Sequence, residues 1–378
     1  MYIKKIRLKS FRNYENETIN FNNKINIIYG NNAEGKTNII EAIYYSAFGK
    51  TYRNNKDNEI VKFDDDFFNI GIEFLKNDRD NEISVFYDKT KNTKKILING
   101  ILQKKLSNIY GKLNLVIFKP EDINIIKGGP DKRRKFLDNL IGPLKPKYID
   151  SLSRYYKILN QRNSALKKIA SELDKGKNLS DLNTSIIDVL NEQLIEEATT
   201  IYNYRLEYIE KINKFINLIH QKYIISKMQE NIEIKYISIL KNKDKFVKQL
   251  NNNLKRDIFI GHTSLGIHRD DFEILLNDRN IQKFGSQGQQ KSTILSLKIS
   301  ELEILKNETK EIPILILDDF MSELDSKRVD RFFKNMEETQ IFITSTSKIS
   351  LKKYIKEDKD KETKIKYIKV VSGKTTEE

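Results

Sequence analysis

The feature that most constrains this chain is Gly30 to Thr37, GNNAEGKT, which meets the phosphate-loop pattern G-x-x-x-x-G-K-[ST] at every fixed position. The apolar, β-branched run Lys24 to Tyr29 precedes it, and Asn38 to Phe48 follows with apolar residues at helical spacing. Strand, glycine loop and helix therefore stand in the order a polyphosphate site needs. Gly30 and Gly35 allow backbone N–H groups to turn toward an anion at the positive end of the helix. Lys36 is placed to reach the β- and γ-phosphates, and Thr37 to put its hydroxyl on Mg²⁺. The competing reading is an ordinary glycine turn before a helix.

Composition narrows the chemistry. The 378 residues suggest two domains, and the absence of cysteine removes disulfides and thiolate metal sites. Three scattered histidines, His220, His262 and His268, leave little for a histidine metal cluster. The first residues alternate apolar with basic side chains, and no stretch approaches the ~20 apolar residues that span a bilayer, so a cytoplasmic protein with no membrane partner is expected. A net charge of +15 favours a polyanionic partner, nucleic acid first and an anionic membrane surface second. The chain is rich in Ile, Lys and Asn throughout, so part of the lysine excess is compatible with a merely solvated surface.

Residues 1 to 29 read as strands, as do Phe67 to Phe74, Glu82 to Tyr87, Lys95 to Leu102 and Leu113 to Phe118. Asn99-Gly100 marks a hairpin turn. From 145 to 256 one proline, one glycine and helically spaced apolar residues such as Ile187, Leu190, Leu194, Ala198 and Ile201 predict a helical domain. Its 21 Lys and Arg against 13 Asp and Glu fit either a bundle with basic outer faces or a DNA-contacting element. The expected domains are 1–144, an inserted helical 145–256, and 257–378.

Later stretches supply further candidates. Ile314 to Asp319, ILILDD, is an apolar strand ending in two carboxylates, with Asp318 placed as a Mg²⁺ ligand and Asp319 to orient or deprotonate water. Phe284 to Lys291, FGSQGQQK, opens the amphipathic run Ser292 to Leu305, either as a second anion site or as a capped helix start. Ser322-Glu323-Leu324-Asp325 follows the carboxylates.

Together these motifs resemble the ABC ATPases of the SMC class and, within it, the RecF family. The likeness rests also on LKSFRNYENETINF, KTYRNNKDNEIV, FKPEDINIIKGGPDKRRKFLD and GIHRDDFE, and spans nearly the whole chain. It implies an α/β, ABC-type P-loop ATPase head, with a mixed sheet plus an antiparallel sheet and an inserted helical domain. It implies ATP and Mg²⁺ held by Gly30, Asn31, Asn32, Ala33, Glu34, Gly35, Lys36, Thr37 and Asn38, with Arg53 near the nucleotide and Thr37 and Asp318 on the metal. Lys36 and Asp319 become the catalytic candidates, Asp319 standing where most ABC ATPases carry glutamate. Ser286, Gly288 and Gln289 become the signature that meets the γ-phosphate of a partner chain, so that two chains sandwich two ATP molecules. The resemblance further implies DNA binding in recombinational repair and replication, and cooperation with RecR, RecO and RecA. Three departures stand out: Glu121 or Asp122 replaces the glutamine expected after LVIF and Thr344, Ser345 or Thr346 replaces the switch histidine, both of which suggest slow hydrolysis, and Ile267, in GIHRDDFE, stands where such runs usually have proline. A transporter motor subunit and an ATP-coupled nuclease are the alternatives from other classes.

Overall fold

Strand β1 (Tyr2–Phe11) turns Ile3, Ile6 and Leu8 into the interior and pairs antiparallel with β2 (Tyr14–Asn20). Next, β3 (Ile25–Tyr29) is buried along its whole length, as a strand covered on both faces must be, and leads through the glycine loop into α1 (Lys36–Phe48). Alternating apolar residues then form β4 (Phe67–Lys76) and β5 (Arg79–Asp88), and β6 (Thr93–Ile98) turns at Asn99-Gly100 into β7 (Ile101–Leu102). These strands build an antiparallel sheet in the order β2-β1-β4-β5-β6-β7. The computed structural model describes residues 1–53, 56–178, 184–224, 230–319, 326–336, 338–349, 351 and 365–377.

After β8 (Leu115–Phe118) come the helices α2 (Asn124–Lys127), α3 (Pro130–Ile141), α4 (Pro146–Asp174) and α5 (Ser185–Tyr223). The apolar stripe expected on α5 is buried at Ile187, Leu190, Leu194, Ala198 and Ile201. Then follow β9 (Ile232–Ile237), α6 (Lys243–Asn252), α7 (Leu254–Ile260), β10 (Asp271–Leu276), β11 (Arg279–Asn280) and α8 (Ile281–Phe284). Strands β11-β10-β9 form a small antiparallel sheet, so the stretch expected to be purely helical supplies one strand, β9. The last part comprises α9 (Gln287–Thr309), β12 (Ile314–Leu317), α10 (Ser326–Lys334), β13 (Ile341–Ser345), β14 (Ile365–Val371) and β15 (Lys374–Glu377).

Two units result: Met1–Ile123 with Leu218–Met228 and Lys291–Glu378, and Asn124–Asn217 with Gln229–Gln290. The boundaries expected at 144/145 and 256/257 both fall inside the second unit. Charge pairs with buried arginines cross them. Arg205 on α5 reaches Asp138 on α3 at 3.0 Å, and Arg162 on α4 reaches Asp257 on α7 at 2.8 Å with both side chains fully buried. Separating such partners would strand a charge away from water.

In the first unit the mixed sheet runs β15-β14-β3-β13-β12-β8, parallel except for the edge strand β15. Strand β13 lies between β3 and β12, so the glycine loop and the LDD carboxylates leave the same edge, at the carboxyl ends of parallel strands. Helix α9 departs from the amphipathic expectation: from Ser292 to Leu302 every residue is buried. Two of its hydroxyls bond back to the helix, Ser296 and Ser300 donating to the carbonyls of Ser292 and Ser296.

Candidate nucleotide-binding site

The loop between β3 and α1 is shaped from behind by the turn after β1. Asn13 Nδ2 donates to the Glu34 carbonyl at 2.7 Å, Tyr14 hydroxyl to the Gly35 carbonyl at 3.0 Å, and Asn38 Nδ2 to Asn13 Oδ1 at 2.8 Å. Gly35 has φ 118°, and a Cβ there would come within 2.6 Å of the Asn13 side chain; a Cβ on Gly30 would lie 2.3 Å from the Val370 carbonyl. Only glycine fits at either place. Ala33 takes the left-handed conformation at φ 69°, closing the loop's curve.

Lys36 is buried, and its ammonium donates to the carbonyls of Gly30 and Asn31 at 2.8 Å each, which folds it back along the loop. Thr37 hydroxyl lies 3.4 Å from Asp318 Oδ1. Thr344 on β13 donates to that same oxygen at 2.7 Å, and Tyr52 donates to Asp318 Oδ2 at 3.3 Å. Burial pushes the Asp318 carboxyl above its ordinary range, the neighbouring Asp319 charge adds to the effect, and the Thr344 hydrogen bond opposes it. Asp319, at φ 49°, donates its backbone N–H to the Thr344 hydroxyl at 2.8 Å. An oxygen pair such as Thr37 and Asp318 suits a hard divalent cation.

Charge behind the loop is gathered on Glu41 of α1, which is fully buried. Arg12 grips it with two hydrogen bonds at 3.0 and 2.7 Å, Thr51 donates to it, and Arg53 stands 3.7 Å away. Arg53 also donates to Asn38 at 3.3 Å. Beside these residues Arg12, Asn13 and Asn38 line a cleft of about 620 Å³ that continues over Glu59 to Asp66.

Lys36, Thr37, Asn38, Arg53, Asp318 and Asp319 thus belong to the first unit, whereas Ser286, Gly288 and Gln289 belong to the second. There Ser286 and Gln289 form a reciprocal cap at the start of α9: Gln289 N donates to Ser286 Oγ at 3.3 Å and Ser286 N to Gln289 Oε1 at 3.0 Å. Gln289 Nε2 also donates to Glu230 at 2.9 Å, and Ser286 and Gly288 are exposed. Of the two replacements considered after β8, Asp122 is buried and accepts from Lys119 N at 3.1 Å, while Glu121 is exposed. Ser322, Glu323, Leu324 and Asp325 lie outside the described residues.

Sequence reasoning missed Tyr52, Glu41 and Arg12. Only the fold shows that Tyr52 bonds Asp318 and that Arg12 bonds Glu41.

A family model described as RecF/RecN/SMC N terminal domain matches residues 2–367. The DNA replication and repair protein RecF of Clostridium acetobutylicum is 40% identical over 364 residues, covering 95% of this chain and 96% of the relative. The chain belongs to the RecF family. A second RecF relative, from Acetivibrio thermocellus, is 42% identical over 361 residues, covering 92% of this chain and 94% of its own. A solved structure of the recombination mediator protein RecF with ATP in the RecFOR pathway matches at a TM-score of 0.88 and 34% identity, covering 100% of this chain and 97% of that one. The SMC head domain of Pyrococcus furiosus shares the fold at a TM-score of 0.54 and 17% identity, covering 100% of this chain and 96% of that one. Both likenesses accord with the mixed and antiparallel sheets of an ABC-type ATPase head.

Proposed function

We propose that this chain is an ATP-switched DNA-binding protein of recombinational repair and replication: ATP closes two copies over duplex DNA, and slow hydrolysis reopens them. The observation that carries the reading is the convergence of the Thr37, Thr344 and Tyr52 hydroxyls on the Asp318 carboxylate, directly beside a complete phosphate loop. RecF relatives named for DNA replication and repair, and a RecF structure holding ATP, support it.

In this reading backbone N–H groups of the loop between Asn31 and Gly35 would bind the phosphates, and Lys36 would exchange its two carbonyl contacts for β- and γ-phosphate oxygens. Thr37 and Asp318 would hold Mg²⁺, which supplies positive charge to the phosphate oxygens when bound. Asp319 would orient water and take its proton. The cleft lined by Arg12, Asn13 and Asn38 is the adjoining concave space and would receive the nucleoside. The exposed face of Ser286 and Gly288 would meet the γ-phosphate held by a second copy. RecR, with RecO and RecA, are the partners this family membership suggests, acting at gapped DNA or stalled forks.

The test is DNA affinity with and without a non-hydrolysable ATP analogue at two salt concentrations. The analogue should tighten binding, both states should weaken as salt rises, and Mg²⁺ should bring no cleavage. Affinity indifferent to the nucleotide would refute the switch.

A further inference from the structure

We propose that Tyr52 is a positioning residue of the cation site, holding Asp318 Oδ2 so that Oδ1 stays turned toward Thr37. The inference rests on the nucleotide reading above and assigns a task to a residue outside the phosphate loop and the LDD strand.

The Asp318 carboxylate is divided between two sets of partners. Oδ1 faces Thr344 and Thr37, at 2.7 and 3.4 Å, and Oδ2 accepts only the Tyr52 hydroxyl among the described hydrogen bonds, at 3.3 Å. Rotation about the last bond of an aspartate is soft and roughly two-fold, so a carboxylate held at one oxygen alone can twist. A donor on the second oxygen fixes the plane. Tyr52 can serve because its ring is itself immobilised and 7% exposed. Tyr44 meets the ring edge-on at 5.2 Å, Lys119 Nζ stands 4.9 Å and the Arg53 guanidinium 5.9 Å from its centre.

Packing alone does not account for a tyrosine here. Phenylalanine would fill the same space and keep all three ring contacts; only the hydroxyl, costly to bury without a partner, requires the Asp318 oxygen. The neighbours of Tyr52 reinforce the geometry, Thr51 bonding Glu41 and Arg53 bonding Asn38. Lys119, in the turn after β8, which carries no glutamine, stands over the Tyr52 ring and also feels the Asp318 charge.

The test titrates a fluorescent ATP analogue into the full chain at a series of Mg²⁺ concentrations. In Tyr52→Phe the Mg²⁺ needed for half of the affinity gain should rise roughly three- to tenfold, the loss of one long hydrogen bond of ordinary strength. Affinity without Mg²⁺ and the melting temperature should match the parent, which a merely structural role would not predict. Tyr52→Met, which also lacks the hydroxyl, should move the same midpoint in the same direction, and it carries the test alone should Tyr52→Phe fail to fold. A parent chain whose ATP affinity ignores Mg²⁺ would overturn the nucleotide reading and this inference with it. A parent response matched by both variants would leave that reading standing and overturn this one.

Discussion

The loop Gly30 to Thr37 and the loop at Ser286 both open a helix, yet they are held on opposite terms. Around Gly30 to Thr37 the supporting groups come from distant parts of the chain: Asn13 and Tyr14 from the first turn, Tyr52 from beyond α1, Asp318 from β12 and Thr344 from β13. Ser286 and Gln289 mainly satisfy each other, with Glu230 as an additional partner, and Ser286 stays exposed. The first loop is braced by its own chain. The second presents a capped helix start with an exposed outer face, a place where an anion can dock.

The largest expected effect lies in the braced loop. Lys36→Arg should lower ATP hydrolysis by about 10²–10³ while ATP affinity falls less than tenfold, because the charge survives but the compact ammonium does not. Parent-rate hydrolysis, measured by phosphate release, would remove Lys36 from the site. Asp319→Asn should slow turnover by about a hundredfold with ATP binding retained. Asparagine tolerates the left-handed backbone found at Asp319, so the fold should be spared. Equal loss of ATP binding would make Asp319 a metal ligand instead.

The signature's unit also carries an acid-sensitive group. His268 lies 2.6 Å from the Tyr155 hydroxyl, and burial lowers its pKa from 6.5 to about 4. The unfolded chain takes up this proton first, so stability should fall as pH drops from about 6.5 towards 4, by up to about 3 kcal/mol. Urea denaturation at pH 7 and pH 5 should show the slope in the parent and a flatter one in His268→Gln. An unchanged slope would place the proton elsewhere.

A pair of glycines sharpens the contrast further. Gly35→Ala forces a Cβ against Asn13 and should cost about 1–3 kcal/mol. Gly288→Ala, whose Cβ would meet nothing nearer than Ser286 Oγ at 4.0 Å, should gain roughly 0.5–1 kcal/mol as a helical alanine. If the exposed face of Gly288 serves a partner's nucleotide, this more stable variant should nonetheless dimerise less with ATP. Thermal melts and sedimentation together read both effects.

What could be read from sequence follows the same division. The strand, loop and helix around Lys36 are contiguous, so residue type and spacing revealed them, and the apolar run ending in Asp318 carried its own signal. Glu41, Arg12 and Tyr52 gave none, because their roles come from pairings between segments far apart in the chain. The domain boundaries near 144 and 256 followed helical texture, whereas the compact units keep the Arg162–Asp257 and Arg205–Asp138 pairs together. The amphipathic reading of α9 failed for a local reason: serines that bond back to their own helix can be buried on any face.

The central claim is that the signature acts on a nucleotide bound by another copy, and sedimentation of Ser286→Arg with ATP and Mg²⁺ tests it most directly. The parent should shift from monomer to dimer when ATP is added. The variant should bind ATP through its Gly30 to Thr37 loop, remain monomeric, and lose the ATP-stimulated part of its DNA binding while keeping the weak, salt-sensitive background. A Ser286→Arg chain that still dimerises on ATP would contradict the account.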